Sequence, residues 1–207
     1  MPLVAAVGII LASASPRRLE LLRQIGIEPD VRPAAVVEDP RPGEEPSAHA
    51  RRLAEVKGRA IARALERGGP LRVVLAADTV VVSSGESLGK PRDEHEARGM
   101  LRRLSGGVHD VMTAMWVERT DDGRTASCVE SSRVRFRSLP ESVIAAYVAT
   151  GEPMDKAGAY AIQGRGALLV ESVEGSWTNV VGLPIERVPT LLSAIGLDLT
   201  VELLSSG

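Results

Sequence analysis

Uninterrupted apolar runs in the chain predict buried strands, and shorter runs separated by turn residues predict two hairpins. The first hairpin is centred on Asp122-Gly123, a dipeptide typical of tight turns. The predicted strands are Leu3 to Ala12, Leu71 to Val82, Val111 to Val117, Val129 to Phe136, Ala167 to Val173 and Trp177 to Val181.

Apolar residues at helical spacing predict helices between these strands. They are expected from Pro16 to Gly26, from Ser47 to about Leu65, around Ala97 to Leu104, from Pro140 to Thr150 and within Pro184 to Ile195. Helices and strands alternate early and hairpins come later. The pattern therefore predicts an α/β fold, one domain spanning residues 1–207, with a mixed sheet and flanking helices.

Composition narrows the function classes. The chain of 207 residues has a net charge of -2, which argues against a groove for a nucleic acid polymer. No apolar run approaches the roughly 20 residues that cross a bilayer, and Cys128, the single cysteine, has no partner for an internal disulfide. We therefore expect a cytoplasmic protein without a membrane partner.

Lysine usage marks three candidate phosphate ligands. Only Lys57, Lys90 and Lys156 among the 25 basic residues are lysines. A coding bias towards arginine explains most of the surface, but it does not explain why these three positions are lysine. Ammonium and guanidinium groups bind phosphate differently, so all three are candidates for substrate binding.

The segment Ser13-Ala14-Ser15-Pro16-Arg17-Arg18 predicts an anion site at a helix start. Ser15 suits the N-cap and Pro16 the first helical position. Two arginines in a first turn are unfavourable beside the helix dipole unless an anion binds there. Two solvated surface arginines are the alternative, but the coincidence of cap, proline and arginines favours phosphate binding by this segment, Ser13 included.

Asp78 lies inside the apolar run Val73 to Val82. Burial of an unpaired carboxylate is costly, so Asp78 requires a cationic partner, a metal ion or a proton. It is a candidate ligand for Mg²⁺ and a candidate general base towards water. An aspartate that bonds nearby backbone at a strand end is an equally good explanation of this stretch alone.

A glycine-rich segment from Gly151 to Gly166 is predicted to be a functional loop. Small residues there allow a ligand to approach the backbone, and Gln163 offers a donor and an acceptor to a base edge. An ordinary glycine-rich turn is the alternative. The histidines, His49, His95 and His109, have no metal-ligand spacing and are expected to be surface or structural residues.

Four ordered blocks of the sequence resemble the Maf family of nucleotide pyrophosphatases, from Ile10 almost to Ile195. The blocks are SASPRRLELL, LAADTVV, LGKPRD with MLRRLSGGVHDVMTA, and GEPMDKAGAYAIQG with NVVGLP. The resemblance implies a twisted mixed α/β fold of the type shared with inosine triphosphatases, with a cleft between two lobes, usually in a homodimer. It also implies hydrolysis of a nucleoside triphosphate to the monophosphate and pyrophosphate with a divalent metal, Mg²⁺ or Mn²⁺.

The resemblance assigns roles to individual residues. Asp78 corresponds to the catalytic acidic residue and also to a metal ligand. Arg17 and Arg18 correspond to the phosphate-binding pair, and Lys57 and Lys90 to basic contacts. Glu38 lies where the family has a second acidic metal-site residue, although Val37-Glu38-Asp39 departs from its usual Asp-Glu pair and leaves Asp39 as an alternative.

Substrate choice is also implied by resemblance. Arg17, Thr79 and Gln163 resemble the branch that acts on dTTP and UTP, and we expect the chain to serve in clearing nucleotide pools. A 7-methyl-GTP or modified-nucleotide pyrophosphatase is the alternative within the family. A nucleotide-binding regulator of cell division is the alternative from another class.

Overall fold

The computed structural model describes residues 7–65 and 70–205. Within these residues the chain forms seven strands: β1 Gly8–Leu11, β2 Asp30–Val31, β3 Arg72–Ser83, β4 Glu86–Leu88, β5 Val108–Arg119, β6 Thr125–Phe136 and β7 Val170–Glu174. The α-helices are α1 Pro16–Gln24, α2 Pro46–Arg63, α3 Glu94–Leu104, α4 Glu141–Val148, α5 Trp177–Val181, α6 Val188–Ala194 and α7 Thr200–Ser205. Short 3₁₀ helices lie at Glu152–Asp155, Ala157–Ala159, Gly164–Leu169 and Ile185–Arg187.

All seven strands belong to one sheet of order β2-β1-β3-β5-β6-β7, with β4 paired to β3. β1 pairs in parallel with β2 and β3, whereas β4 and β7 pair antiparallel with β3 and β6. The predicted α/β class with a mixed sheet is therefore confirmed. Because β1, β2 and the first part of β3 are parallel, the segments that follow β1 and β2 leave from the same edge of the sheet.

The chain divides into two compact units, and β3, β5 and β6 contribute residues to both. The first consists of Met1–Asp78, Thr113–Val129 and Gly182–Gly207, and the second of Thr79–Met112 and Glu130–Val181. Buried residues of the first unit include Leu11, Leu22, Leu53 and Leu75, and those of the second include Leu101, Phe136, Ile144 and Tyr147.

Most predicted elements are confirmed. The five expected helices are present, and β3, β5 and β6 occupy the predicted runs. The predicted strand Leu3 to Ala12 is confirmed at Gly8–Leu11, whereas residues 3–6 lie outside the described residues. No helix among residues 7–65 and 70–205 is both long and apolar enough to cross a membrane.

The second predicted hairpin joined strands at Ala167 to Val173 and Trp177 to Val181, and the prediction of its second strand is wrong. β7 pairs with β6 as a strand, but Trp177 to Val181 forms the helix α5. Ser176 explains the difference, because its hydroxyl accepts the backbone N–H of Asn179 at 3.0 Å and so caps the helix. The Asn179 side chain then donates to the carbonyl of Val111 and the hydroxyl of Ser132, both at 2.9 Å.

Helix α2 packs closely against β5. A methyl group built on Gly58 would lie 2.0 Å from an atom of the Trp116 ring, so only glycine fits this contact. Gly58 directly follows Lys57, which is buried on the same helix. The close approach therefore determines where the Lys57 side chain begins.

His109 is a structural residue in the core of the second unit. It is 3% exposed, and its Nε2 lies 2.7 Å from the Tyr160 hydroxyl. The ring meets Phe136 and Tyr160 edge-to-face. Its Nδ1 has no hydrogen-bond partner in the described part of the chain, and burial lowers the pKa of His109 to about 4.

We expect Gly58→Ala to destabilise the protein by about 1–3 kcal/mol, because the added methyl group overpacks against Trp116. Urea unfolding measures the change. Gly99→Ala is the matched control, since Gly99 lies in α3 and a methyl group there meets nothing within 4 Å. Equal unfolding free energies for the two variants would contradict the packing explanation.

We expect the wild type to lose about 2 kcal/mol of stability between pH 7 and pH 5 through His109 alone. The pKa of this histidine is depressed in the folded state, so the unfolded chain takes up the proton first as the pH falls and stability declines. The measurement is urea unfolding across this range, with His109→Gln as a variant that can still bond Tyr160 but does not titrate. Parallel stability curves for the two proteins would refute the assignment.

Candidate active site

The turn between β1 and α1 fixes a serine and an arginine against each other. Pro16 is the first helical residue, as predicted, although the Ser15 side chain makes no capping hydrogen bond. The Ser13 hydroxyl instead accepts the backbone N–H of Ser15 at 3.2 Å and the guanidinium of Arg18 at 3.0 Å. The Arg18 Nε also donates to the carbonyl of Gly182 at 2.8 Å. Arg18 is thereby held from two sides.

Arg18 is surrounded by both positively and negatively charged side chains. Burial lowers the pKa of its guanidinium, and the neighbouring Arg17 lowers it further, whereas Asp78 and Glu38 raise it. The four charged side chains therefore lie close enough to influence one another. An anion at this position would offset the repulsion between the two arginines.

Lys57 connects the two predicted acidic residues. Its Nζ lies 2.7 Å from Oδ1 of Asp78 and 2.6 Å from Oε1 of Glu38. The side chains of Lys57 and Asp78 are each 11% exposed, whereas that of Glu38 is 50% exposed. The partner that the sequence required for a buried Asp78 is therefore an ammonium group.

The structure also distinguishes Glu38 from Asp39. The Glu38 carboxylate contacts Lys57, whereas the backbone carbonyl of Asp39 accepts a hydrogen bond from Arg52 at 3.1 Å. The contact with Arg52 directs this part of the segment towards helix α2. Because Lys57 contacts both carboxylates, Glu38 is placed for a role beside Asp78.

The donor set suits a divalent cation. Two carboxylates, from Glu38 and Asp78, converge on one cationic group, and hard oxygen ligands are those that Mg²⁺ and Mn²⁺ prefer. Within residues 7–65 and 70–205 no group of three histidine, cysteine or acidic residues forms a complete metal cage. Mg²⁺ in phosphate chemistry is usually held by one or two carboxylates together with substrate oxygens, so this pair fits the group.

The remaining predicted residues lie in the second unit. Lys90 follows Gly89, whose carbonyl accepts the backbone N–H of Gly158 at 3.0 Å, so the segment carrying Lys90 adjoins Ala157–Ala159. The Lys156 ammonium donates to the carbonyl of Glu152 at 2.7 Å and to the carboxylate of Asp155. Thr79 and Gln163 are half-buried, and Lys90 is exposed.

The predicted residues therefore form two groups. The structure brings together those of the first unit: Ser13, Ser15, Arg17, Arg18, Glu38, Lys57 and Asp78. Thr79, Lys90, Lys156 and Gln163 belong to the second unit. Each group lies in segments that the sequence had marked.

Two residues that hold candidate site residues in place were not predicted from the sequence. Gly182 supplies the carbonyl that holds Arg18, and the only signal was its position in the block NVVGLP. Glu152 accepts hydrogen bonds from three groups around the segment that carries Gln163. Its place in the glycine-rich segment was visible, but its bonds to Tyr147, Arg165 and Gly166 depend on how that segment folds back on itself.

The chain resembles known proteins over most of its length. The family described as "Maf-like protein" matches residues 8–195. The chain is 50% identical to a protein of Citrifermentans bemidjiense over 91% of this chain and 96% of that one. It is 49% identical to a protein of Anaeromyxobacter dehalogenans over 94% and 97%, and 52% identical to one of Geobacter sulfurreducens over 91% and 96%. All three relatives are named dTTP/UTP pyrophosphatase.

Proposed function

Because the chain belongs to the Maf family, we propose that it hydrolyses dTTP and UTP to the nucleoside monophosphate and pyrophosphate. The observation that carries the proposal is the cluster of Asp78, Lys57 and Glu38 beside Arg18. It combines a carboxylate that can act on water with cations that can bind phosphate. Three relatives that share about half of its residues have names that state this activity.

The residues of the first unit account for the chemistry. Water attacks the α-phosphorus, the bond from this phosphorus to the oxygen shared with the β-phosphorus breaks, and pyrophosphate leaves. Asp78 orients the water and accepts its proton, while the Lys57 ammonium holds the carboxylate in position. Arg17 and Arg18 bind phosphate oxygens, on which negative charge accumulates in the transition state.

A divalent cation would be held by Asp78 and Glu38. When bound, Mg²⁺ or Mn²⁺ neutralises phosphate charge and makes the α-phosphorus a better electrophile. Ser13 and Ser15 lie on the turn beside Arg18, where hydroxyl and backbone groups can donate to a phosphate. The site thus supplies both signs of charge that phosphoryl transfer requires.

We assign recognition of the base to residues of the second unit and to Arg17. Gln163 has an amide that matches the uracil and thymine edge, which presents an acceptor beside an N–H donor. Thr79 and the lysines Lys90 and Lys156 are the other proposed contacts of the nucleotide. The substrate is a free nucleotide rather than a nucleic acid polymer.

The resemblance to the family further supports a homodimer, and dTTP and UTP are constituents of the cytoplasmic nucleotide pool. We therefore propose a cytoplasmic homodimer. Light scattering coupled to gel filtration measures its mass, and a mass of about 22 kDa, that of one chain, would refute the dimer.

The decisive experiment measures pyrophosphate release from dTTP, UTP, CTP, GTP, ATP and 7-methyl-GTP. Each reaction contains Mg²⁺, Mn²⁺ or a chelator. Metal-dependent release chiefly from dTTP and UTP supports the proposal in full. Release chiefly from 7-methyl-GTP would move the chain to the alternative branch, and no release from any nucleotide would favour a binding regulator.

We expect Asp78→Asn to lower kcat for dTTP by roughly 10²–10⁴-fold, because the amide cannot accept the proton from water. Lys57 keeps Glu38 as an ionic partner in this variant, so the fold is expected to persist and is checked by thermal unfolding. Asp30→Asn, which removes an exposed carboxylate on β2, is the matched control and is expected to leave kcat unchanged. Near-normal turnover of Asp78→Asn would exclude this residue as the base.

We expect Gln163→Ala to lower kcat/KM for dTTP and UTP more than for CTP and ATP, because cytosine and adenine present the donor and the acceptor of this edge in the reverse order. Steady-state rates for the four nucleotides give the ratios. Gln24→Ala serves as the control, since Gln24 is the chain's other glutamine and is exposed at the end of α1. A uniform loss across all nucleotides would count against base reading by Gln163.

A further inference from the structure

The Glu152 carboxylate organises the segment from Ala161 to Gly166. Its Oε1 accepts the backbone N–H of Gly166 at 2.9 Å, and its Oε2 accepts that of Arg165 at 3.1 Å. One side chain thus satisfies two successive N–H groups of a segment more than ten positions away in sequence. Both bonds lie just after Gln163.

Tyr147 completes the arrangement from helix α4. Its hydroxyl donates to Oε1 of Glu152 at 2.9 Å and accepts the backbone N–H of Ala161 at 3.2 Å. The bond to Ala161 lies just before Gln163. The tyrosine and the carboxylate therefore hold the backbone on both sides of the glutamine.

The backbone is closely packed around these bonds. A methyl group on Gly166 would lie 2.6 Å from the Tyr147 hydroxyl and 2.2 Å from the carbonyl of Ala161. One on Gly164, whose φ is +69°, would lie 2.9 Å from Oε2 of Glu152. The two glycines allow the backbone to close around the carboxylate, so the path of the chain at Gln163 is tightly constrained.

The carboxylate is suited to this role as an anion. Partial burial opposes its ionisation, but hydrogen bonds from the Gly166 N–H, the Tyr147 hydroxyl and the Arg165 N–H lower the pKa of Glu152. The side chain of Tyr147 is buried, and burial raises the pKa of its hydroxyl, which therefore stays protonated as a donor. The bonds thus persist at neutral pH.

We propose that Glu152 and Tyr147 are positioning residues that fix the backbone carrying the Gln163 amide and thereby set the preference for uracil and thymine over other bases. The inference rests on the proposed function, because it assigns the origin of the selectivity of that same site. Neither residue needs to contact the substrate. Their effect reaches the base through the backbone of Ala161 to Gly166, and an amide on a fixed backbone discriminates better than one whose backbone shifts with each base.

The first test uses Glu152→Gln and Tyr147→Phe. Glutamine keeps the shape but presents N–H groups where an acceptor is needed, and phenylalanine removes only the hydroxyl. In both variants the ratio of kcat/KM for UTP to that for CTP is expected to fall about tenfold, the loss that one weakened hydrogen bond produces. Glu174→Gln, which removes an exposed carboxylate of the same unit, is expected to leave the ratio unchanged.

A double-mutant cycle shows whether the effect passes through Gln163. When Gln163→Ala is already present, adding Glu152→Gln or Tyr147→Phe is expected to cause no further fall in the ratio. Independent, multiplicative losses would overturn the inference. An unchanged ratio in both single variants of an active enzyme would also overturn it and leave the proposed function intact.

Hydrogen exchange provides a measurement that does not require turnover. The amides of Ala161, Arg165 and Gly166 are expected to exchange faster in Glu152→Gln than in the wild type and in Glu174→Gln. Exchange equal to the wild type would refute the positioning role. If the wild type released no pyrophosphate, the proposed function and the base selectivity would both fail, and the exchange rates would still decide whether Glu152 fixes the segment.

Discussion

A lysine ammonium between two carboxylates is the interaction on which the candidate active site depends. Asp78 is buried in strand β3 among mostly apolar residues, where an unpaired charge would destabilise the fold. Lys57 offsets this penalty and also brings Glu38 to the same point. The ion pairs that make the buried aspartate tolerable are therefore the contacts that assemble a candidate metal and catalytic centre.

The lysine in turn depends on packing. Helix α2 must approach β5 closely for Lys57 to reach β3, and Gly58 permits that approach because it has no side chain to meet Trp116. Arg18 is fixed differently, by the Ser13 hydroxyl and the carbonyl of Gly182. Core packing places the Lys57 ammonium, and polar contacts place the Arg18 guanidinium. Changes to the core and changes to the loops therefore act on the same candidate site.

The sequence contained the residues of the site but few of their partners. The helix start at Pro16 and the buried Asp78 were predictable because their local patterns are unusual: arginines where a helix favours acids, and a carboxylate within an apolar run. The contact of Glu38 with Lys57 was not predictable, because it depends on where helix α2 lies. Trp177 to Val181 was misread because its apolar residues outweighed the capping serine before them. The strands β2 and β4, of two and three residues, are too short to show any periodicity.

The scarcity of lysine has a consequence for covalent modification. The side chains of Lys57 and Lys156 are 11% and 12% exposed and are engaged in ion pairs, whereas Lys90 is exposed. Arginine does not react with acyl donors under mild conditions, so the surface of this chain offers them few side-chain targets. Acylation of side-chain amines therefore falls first on Lys90, which is one of the proposed substrate contacts.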